Sequence, residues 1–512
     1  MRHLGAIVAV AVTTLIVPPA MTPAAGEAAS RGSAAASVAW GTCPPVAPGR
    51  VRDPRQQCAS LRVPLDYRDP RGRTIDIAIS RIASAEPATR RGILLSNPGG
   101  PGESGLDMPS ELAPKLSAEV LDRYDLIGMD PRGIGHSTPV TCALPLDAPD
   151  LLIPWPAPDG DISRNVAYTE AAARSCAEHS GDLLPFITTA NTARDMDRVR
   201  DALGEAKASF YGRSYGSYLG TVYISLFPRR GDRIILDAGV DPRLIWHRQW
   251  LTWGPASALR FPDFTGWAAA RDDIYHLGAT PEAVQQRYIE LAAALDARPL
   301  PSPVPGFAML TGNIFRELTR EELYFDEAFP LVAQLWQYAA GTAPAPAMRK
   351  AAAAPASAVP ASGVPADNGL AALFAVVCGD VAWPVDLRAY QREVASDRRA
   401  YPLTNGMPAN VWPCARWRFR PIEPPVTVTG HGPRNVLILQ NLRDPGVPWT
   451  SGYGLRTVLD RRAAMVTVDA GSHTAYGRGN ACADMAAHGF LVTGRLPRHD
   501  RFCPADTGGH AR

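Results

Sequence analysis

The pentapeptide Gly212-Arg213-Ser214-Tyr215-Gly216 reads G-x-S-x-G. Where a strand turns sharply into a helix, a serine at the turn stands with its hydroxyl exposed above the sheet edge. The flanking glycines are needed because side chains there would meet the strand and the helix. The start of the helix offers main-chain N–H groups to an oxyanion, Tyr215 N–H first among them. A serine hydroxyl is a weak nucleophile at neutral pH and needs a neighbouring base. An ordinary surface turn could carry the same letters in a chain with 44 glycines. Its chemistry therefore depends on partners elsewhere.

Two further stretches supply candidates. Asn441-Leu442-Arg443-Asp444-Pro445 follows the apolar run 435–440, and Asp469-Ala470-Gly471-Ser472-His473-Thr474 follows 464–468. Ser214, Asp444 and His473 thus occur in that order, each just beyond a strand-like run, as in an α/β-hydrolase triad. His473 would take the serine proton and return it to the leaving group, while Asp444 would fix the imidazole tautomer. Asp444 beside Pro445 also fits a plain turn aspartate, and His473 a surface loop. Asp237 and Asp241, after the run 233–238, compete for the acid role, and His136 competes by position for the base. The loop Asn97-Pro98-Gly99-Gly100-Pro101-Gly102 follows the third strand-like run, where a second oxyanion donor belongs. Gly99 or Gly100 would provide it.

The elements that must position these groups alternate between strand and helix. Strands are expected at 61–67 and 74–80, with Asp69-Pro70-Arg71-Gly72 turning between them, and then at 92–96, 124–130, before the serine, 233–238, 435–440 and 464–468. Helical patterns cover about 164–179, 190–204, 215–227 and 481–491. Asp195, Asp197, Arg198 and Asp201 suggest an exposed face on the second. Apolar strand runs separated by helices argue for a mostly parallel eight-stranded sheet covered on both faces. Between 243 and 400 strand signals are scarce and aromatic helical segments dominate, as in a helical cap inserted after strand six. Within it, 343–369 is rich in Ala, Pro and Ser and is expected to be a flexible loop. The sheet domain would then occupy 40–242 and 401–505.

The 512 residues are 46% hydrophobic and 20% charged, with a net charge of +2, a balance that leaves no footprint for nucleic acid. Met1-Arg2-His3, the apolar run 4–17 and the small residues Ala20, Ala24 and Ala25 read as an export signal over 1–25. No cysteine lies near its end to take a lipid, and 26–39 is expected to be disordered. The protein would be secreted, with no stable membrane association after cleavage. The eight cysteines suit an oxidising compartment. Paired as neighbours they give Cys43–Cys58, Cys142–Cys176, Cys378–Cys414 and Cys482–Cys503, one choice among many that sequence leaves open. No Cys/His spacing suggests a metal, and no cofactor is implied.

Several segments resemble a known family. Pro98-Gly99-Gly100-Pro101-Gly102 resembles the H-G-G-P-G loop of prolyl iminopeptidases, with Pro98 in place of the histidine, and Asp130-Pro131-Arg132-Gly133-Ile134-Gly135-His136-Ser137 resembles their D-x-R-G-x-G-x-S segment. The serine pentapeptide with Leu219-Gly220, the stretch Thr189–Asp197, and 378–503 with its four cysteines resemble the secreted actinobacterial tripeptidyl aminopeptidases. The resemblance spans about 40–505 and is weakest over 243–370. Asp444-Pro445-Gly446-Val447-Pro448 departs from the usual D-P-x-T-P, and Thr474 stands where a glycine is commoner. The resemblance implies a serine exopeptidase that cuts short peptides, often tripeptides, from free N-termini, with Ser214 as nucleophile, His473 as base and Asp444 as acid; a monomer is expected. Glu317, Glu321, Glu322, Asp326, Glu327 and Asp380 are candidates to meet the substrate ammonium, although a solvated helix face would look the same. An exported esterase with the same triad, or a surface protein that has kept only the fold, are the competing expectations.

Overall fold

A computed structural model describes residues 38–46, 51–146, 148–305, 307–348 and 363–506. The expected export signal, most of the segment 26–39 and the middle of the 343–369 loop lie outside these residues.

The central sheet has nine strands: β1 (Gln57–Pro64), β2 (Thr74–Ile82), β3 (Gly92–Asn97), β4 (Tyr124–Met129), β5 (Ala208–Arg213), β6 (Gly231–Asp237), β7 (Val436–Asn441), β8 (Ala463–Val468) and β9 (Arg501–Cys503). Their order is β1-β2-β4-β3-β5-β6-β7-β8-β9. The first two pairings, β1 with β2 and β2 with β4, are antiparallel, and the rest are parallel. Strands β3, β4 and β7 are buried along their whole length, because helices cover both faces. This is the α/β-hydrolase fold.

Two strands differ from expectation. β1 starts four residues before 61, because Gln57–Ser60 pair with β2 in register and Cys58 is bonded to Cys43, although these residues carry no apolar alternation. The ninth strand, three residues long, is too short to leave a pattern. It lies beside β8, and Cys503 joins it to Cys482 on the helix Ala481–Thr493. The other disulfides are Cys43–Cys58, Cys142–Cys176 and Cys378–Cys414, so all four pairs join neighbours in sequence.

The helix Thr189–Ala202 carries only part of the expected exposed face: Arg198 and Asp201 are exposed, but Asp195 and Asp197 are buried. Asp195 and Arg132 are fully buried and joined by two hydrogen bonds of 2.7 Å, and Tyr67 donates to the same carboxylate. A buried carboxylate is tolerated when it is paired and hydrogen-bonded. The partner here lies in another loop, so the helix alone looks solvated.

The insertion between β6 and β7 builds a core of its own. Helices Trp253–Ala269, Pro281–Ala297, Gly312–Glu322 and Phe329–Ala339 pack Phe264, Tyr288, Leu318 and Trp336 together. The helix Asn368–Asp380 instead joins the main core through Ala371, Phe374 and Val376. Its start replaces the end of the expected loop. Asp367 accepts from the Thr141 hydroxyl and from Cys142 N–H and Leu144 N–H, while Asn368 bonds the carbonyls of Gly133 and Val140. Among the described residues no helix is long and apolar enough to cross a membrane.

The chain reverses direction across the sheet at β3, which has β4 on one side and β5 on the other. Ligands bind outside the carboxyl ends of strands at such a switch point. The register Asn97↔Gly212 sets the ends of β3 and β5 side by side there, which brings the glycine loop to Ser214.

Candidate active site

β5 ends at Arg213 and a helix begins at Tyr215. Ser214 between them has φ 56° and ψ −124°, a conformation that costs a non-glycine residue about 1–3 kcal/mol. The strand-to-helix crossing is tight. A Cβ on Gly212 would lie 2.3 Å from the Gly216 carbonyl, and one on Gly216 would lie 2.7 Å from Asn97 Oδ1. Ser214 N–H donates to the Asp237 carbonyl at 2.8 Å, which fixes the turn to β6.

The glycine loop lies against this turn. Gly99 has φ 111°, and a Cβ there would meet the Arg213 carbonyl at 2.9 Å and Ser214 Cβ at 3.0 Å. Its N–H is engaged by Asn97 Oδ1 at 3.1 Å. Gly100, by contrast, lines the cleft above Ser214 together with Tyr215. Of the two glycines, only Gly100 lines the cleft.

Asp444 and His473 meet. His473 Nδ1 lies 2.8 Å from Asp444 Oδ1 and 2.9 Å from Oδ2. The carboxylate is buried, and its remaining capacity is filled by Gly446 N–H at 2.8 Å, Val447 N–H at 2.9 Å and Thr474 N–H at 3.3 Å. So held, Asp444 can neither rotate nor leave the imidazole.

The competing residues do other work. Asp237 is fully buried and accepts from Ala475 N–H at 2.7 Å, Tyr476 N–H at 3.0 Å and Tyr211 hydroxyl at 3.0 Å. Burial pushes its carboxyl above the ordinary range. It holds the loop beyond His473 and does not touch the imidazole nitrogen. Asp241 pairs with Arg243, and His136 N–H donates to Asp130 Oδ2 outside the cleft.

Ser214, Tyr215, Gly100 and His473 share one cleft of about 480 Å³. The insertion supplies much of the rest of its lining: Trp246, Trp250 and Trp253, then Arg320, Glu321, Glu322 and Tyr324. The indoles of Trp250 and Trp253 stack at 4.6 Å, and Trp253 Nε1 donates to the Gly446 carbonyl beside Asp444. The aromatic density near 246–253 is visible in the sequence, but its place against Ser214 is not.

Only two of the cap carboxylates singled out earlier reach this cleft. Glu317 is buried behind it, paired with Arg320 at 2.6 Å and bonded by Trp155 Nε1. Asp326 pairs with Arg260, and Glu327 with Arg478. Asp380 lies in the core, where Thr189 N–H, Thr189 Oγ1 and Trp246 Nε1 donate to it. Burial pushes its carboxyl up to about 6 despite these bonds. Glu321 and Glu322 remain. Burial first, and then the neighbouring Glu317, push the Glu321 carboxyl well above the ordinary range. Among the described residues no three His, Cys, Asp or Glu side chains are grouped to hold a metal ion.

Residues 402–503, which carry Asp444 and His473, match the family described as TAP-like protein. A tripeptidyl aminopeptidase of Streptomyces lividans is 36% identical over 459 residues, covering 87% of this chain and 83% of that protein. The serine protease Hip1 of Mycobacterium tuberculosis is 29% identical over 87% of each chain. A protein named carboxylesterase B from the same species is 30% identical over 94% of this chain and 92% of its own. With this fold, these residues at one cleft and relatives matched over most of their length, the chain belongs to the tripeptidyl aminopeptidase family of α/β-hydrolase serine peptidases.

Proposed function

We propose that the protein is an exported exopeptidase that releases short peptides, tripeptides in the first instance, from free N-termini through an acyl-enzyme on Ser214. The observation that carries this reading is the cleft itself. Ser214 and the Asp444-bound His473 line it together with Glu321 and Glu322 of the cap. His473 Nε2 takes the hydroxyl proton as Ser214 Oγ attacks the scissile carbonyl carbon. The oxyanion is met by Tyr215 N–H and Gly100 N–H. The C–N bond then breaks and the imidazolium returns its proton to the leaving amine. Water, deprotonated by His473, releases the peptide acid and restores Ser214.

A cleft lined by a cap suits a substrate end better than the middle of a chain, and a bound ammonium would favour the ionised form of Glu321, which burial and Glu317 otherwise oppose. Tripeptide release is what the S. lividans relative is named for. Export is supported by the N-terminal signal pattern and by four disulfides, which persist in oxidising compartments.

Free tripeptide anilides, their N-acetylated forms and short-chain esters, compared on the same enzyme, test the reading. Anilide cleavage that falls on N-acetylation is expected. Ester cleavage without anilide cleavage would replace the reading with the esterase one, which the carboxylesterase B relative keeps as the second.

A further inference from the structure

The proposed base is anchored by the cap as well as by the sheet, where Asn441 Nδ2 at the end of β7 donates to the carbonyls of Ser472 at 2.6 Å and Thr474 at 2.9 Å. His473 N–H donates to the carbonyl of Tyr324 at 2.7 Å, and the Tyr324 ring stands edge-on to the imidazole with centroids 5.0 Å apart. One residue earlier, Ser472 Oγ accepts from Asp326 N–H at 3.2 Å. Two consecutive residues of the histidine loop thus hang on one short strut, 323–326. That strut leaves the helix Gly312–Glu322 directly after the cleft carboxylates Glu321 and Glu322.

What fixes the strut is Arg260, on the cap helix Trp253–Ala269 and only 1% exposed. Its Nε donates to the Leu323 carbonyl at 2.8 Å. One terminal nitrogen bonds Asp326, and the other donates to Asp263 Oδ2 at 2.8 Å. Asp263 also accepts from Arg443 Nε at 2.9 Å, next to Asp444 in sequence, and Arg443 reaches Asp469 at 2.5 Å. The guanidinium packs so closely on the histidine loop that a Cβ on Gly471 would lie 1.9 Å from it. A planar fork can serve three acceptors at once, which an ammonium on a flexible stem cannot do in the same geometry. Asp263 and Arg443 are 26% and 32% exposed, so their ion pair adds little stability; what it constrains is geometry.

We propose that Arg260 is the positioning residue of the base: it fixes the 323–326 strut, and through the Tyr324 carbonyl it sets His473 in place between Asp444 and Ser214. This rests on His473 being the base, as argued above. Arg260 itself does not line the cleft, although Tyr324 and Phe325 of its strut do, so its removal is expected to lower turnover more than substrate affinity. A displacement of the order of 1 Å at a reacting group costs up to about 100-fold in rate.

The test compares Arg260→Gln, Arg260→Lys and Asp263→Asn with the parent on a tripeptide anilide, with proton NMR of the His473 Nδ1 proton as a second readout. For Arg260→Gln, kcat is expected to fall about 10- to 100-fold with KM changed less than about threefold, and the Nδ1 resonance to broaden or shift. Arg260→Lys should recover part of that loss. A folded Arg260→Gln with parental kcat, a loss confined to KM, or an unmoved Nδ1 resonance would overturn the proposal. If Arg260→Gln does not fold, the partly exposed Asp263→Asn decides by the same readouts, with a smaller fall in kcat expected and parental behaviour overturning the proposal. His473→Ala separates the two layers. Activity retained there removes the base assignment itself, whereas activity lost there with Arg260→Gln unaffected removes the positioning role alone.

Discussion

The main-chain N–H of Thr474 donates to Asp444 Oδ2 at 3.3 Å from a backbone held at φ 68°. A β-branched residue is strained in this left-handed region, and the family's commoner glycine is not. Relief of about 1–2 kcal/mol of strain outweighs glycine's extra unfolded-state freedom of about 0.5–1 kcal/mol. Thr474→Gly is therefore expected to raise stability by up to about 1 kcal/mol and to keep the bond to Asp444. A urea midpoint lower than the parent's would contradict this.

Asp237 and Asp444 are both buried carboxylates at the ends of neighbouring strands, but only Asp444 reaches the imidazole. Asp444→Asn should reduce kcat by about 10⁴-fold, because an amide there favours the wrong tautomer. Asp237→Asn keeps one acceptor for the loop beyond His473 and should cost no more than about 100-fold. Steady-state kinetics of the two variants check this, and equal losses would restore Asp237 as a rival acid.

Asp380 gives a pH-dependent stability. Burial lifts its carboxyl from 3.8 to about 6. The folded state holds this proton more tightly than the unfolded chain does. The contribution is thus fully present below 3.8 and lost as pH rises through 6. Asp380→Asn lacks the titration, although it loses acceptor capacity for Thr189 and Trp246 at every pH. Between pH 3.5 and 7.5 the parent should lose about 2–3 kcal/mol relative to this variant. Unfolding curves at the two pH values measure it, and a constant difference would refute it.

Cys482–Cys503 ties the last helix to β9 across 21 residues. Closing a loop of that length stabilises by about 3 kcal/mol. Replacing both cysteines with serine should lower stability by that order while changing kcat little, since β9 supports β8 from outside the site. Thermal unfolding and turnover of the double variant test the two halves separately.

The groups proposed for the chemistry were legible in sequence for a local reason. Ser214, Asp444 and His473 each follow an apolar strand run within a few residues, so chain order alone suggests they share one edge. The loop proposed for the oxyanion was legible as glycines, but the bond from Gly99 N–H to Asn97, which separates it from Gly100, was not. Other features lie in pairings that one-dimensional pattern does not carry. Asp195 looks solvated until Arg132, 63 residues away, is brought to it. Asp367 and Asn368 look like the end of a linker until they bond the loops at 133–144. Arg260 and Tyr324 had no sequence signal, since their roles depend on main-chain atoms of Leu323 and His473.

The insertion occupies one continuous stretch between β6 and β7, which makes it look exchangeable between relatives by recombination. The bond from His473 N–H to the Tyr324 carbonyl argues otherwise. A graft that brought a new selectivity would also bring a new support for the imidazole. Chimeras in this family should therefore fail in turnover before they fail in recognition, and drift in cap sequence is constrained from within the machinery it covers.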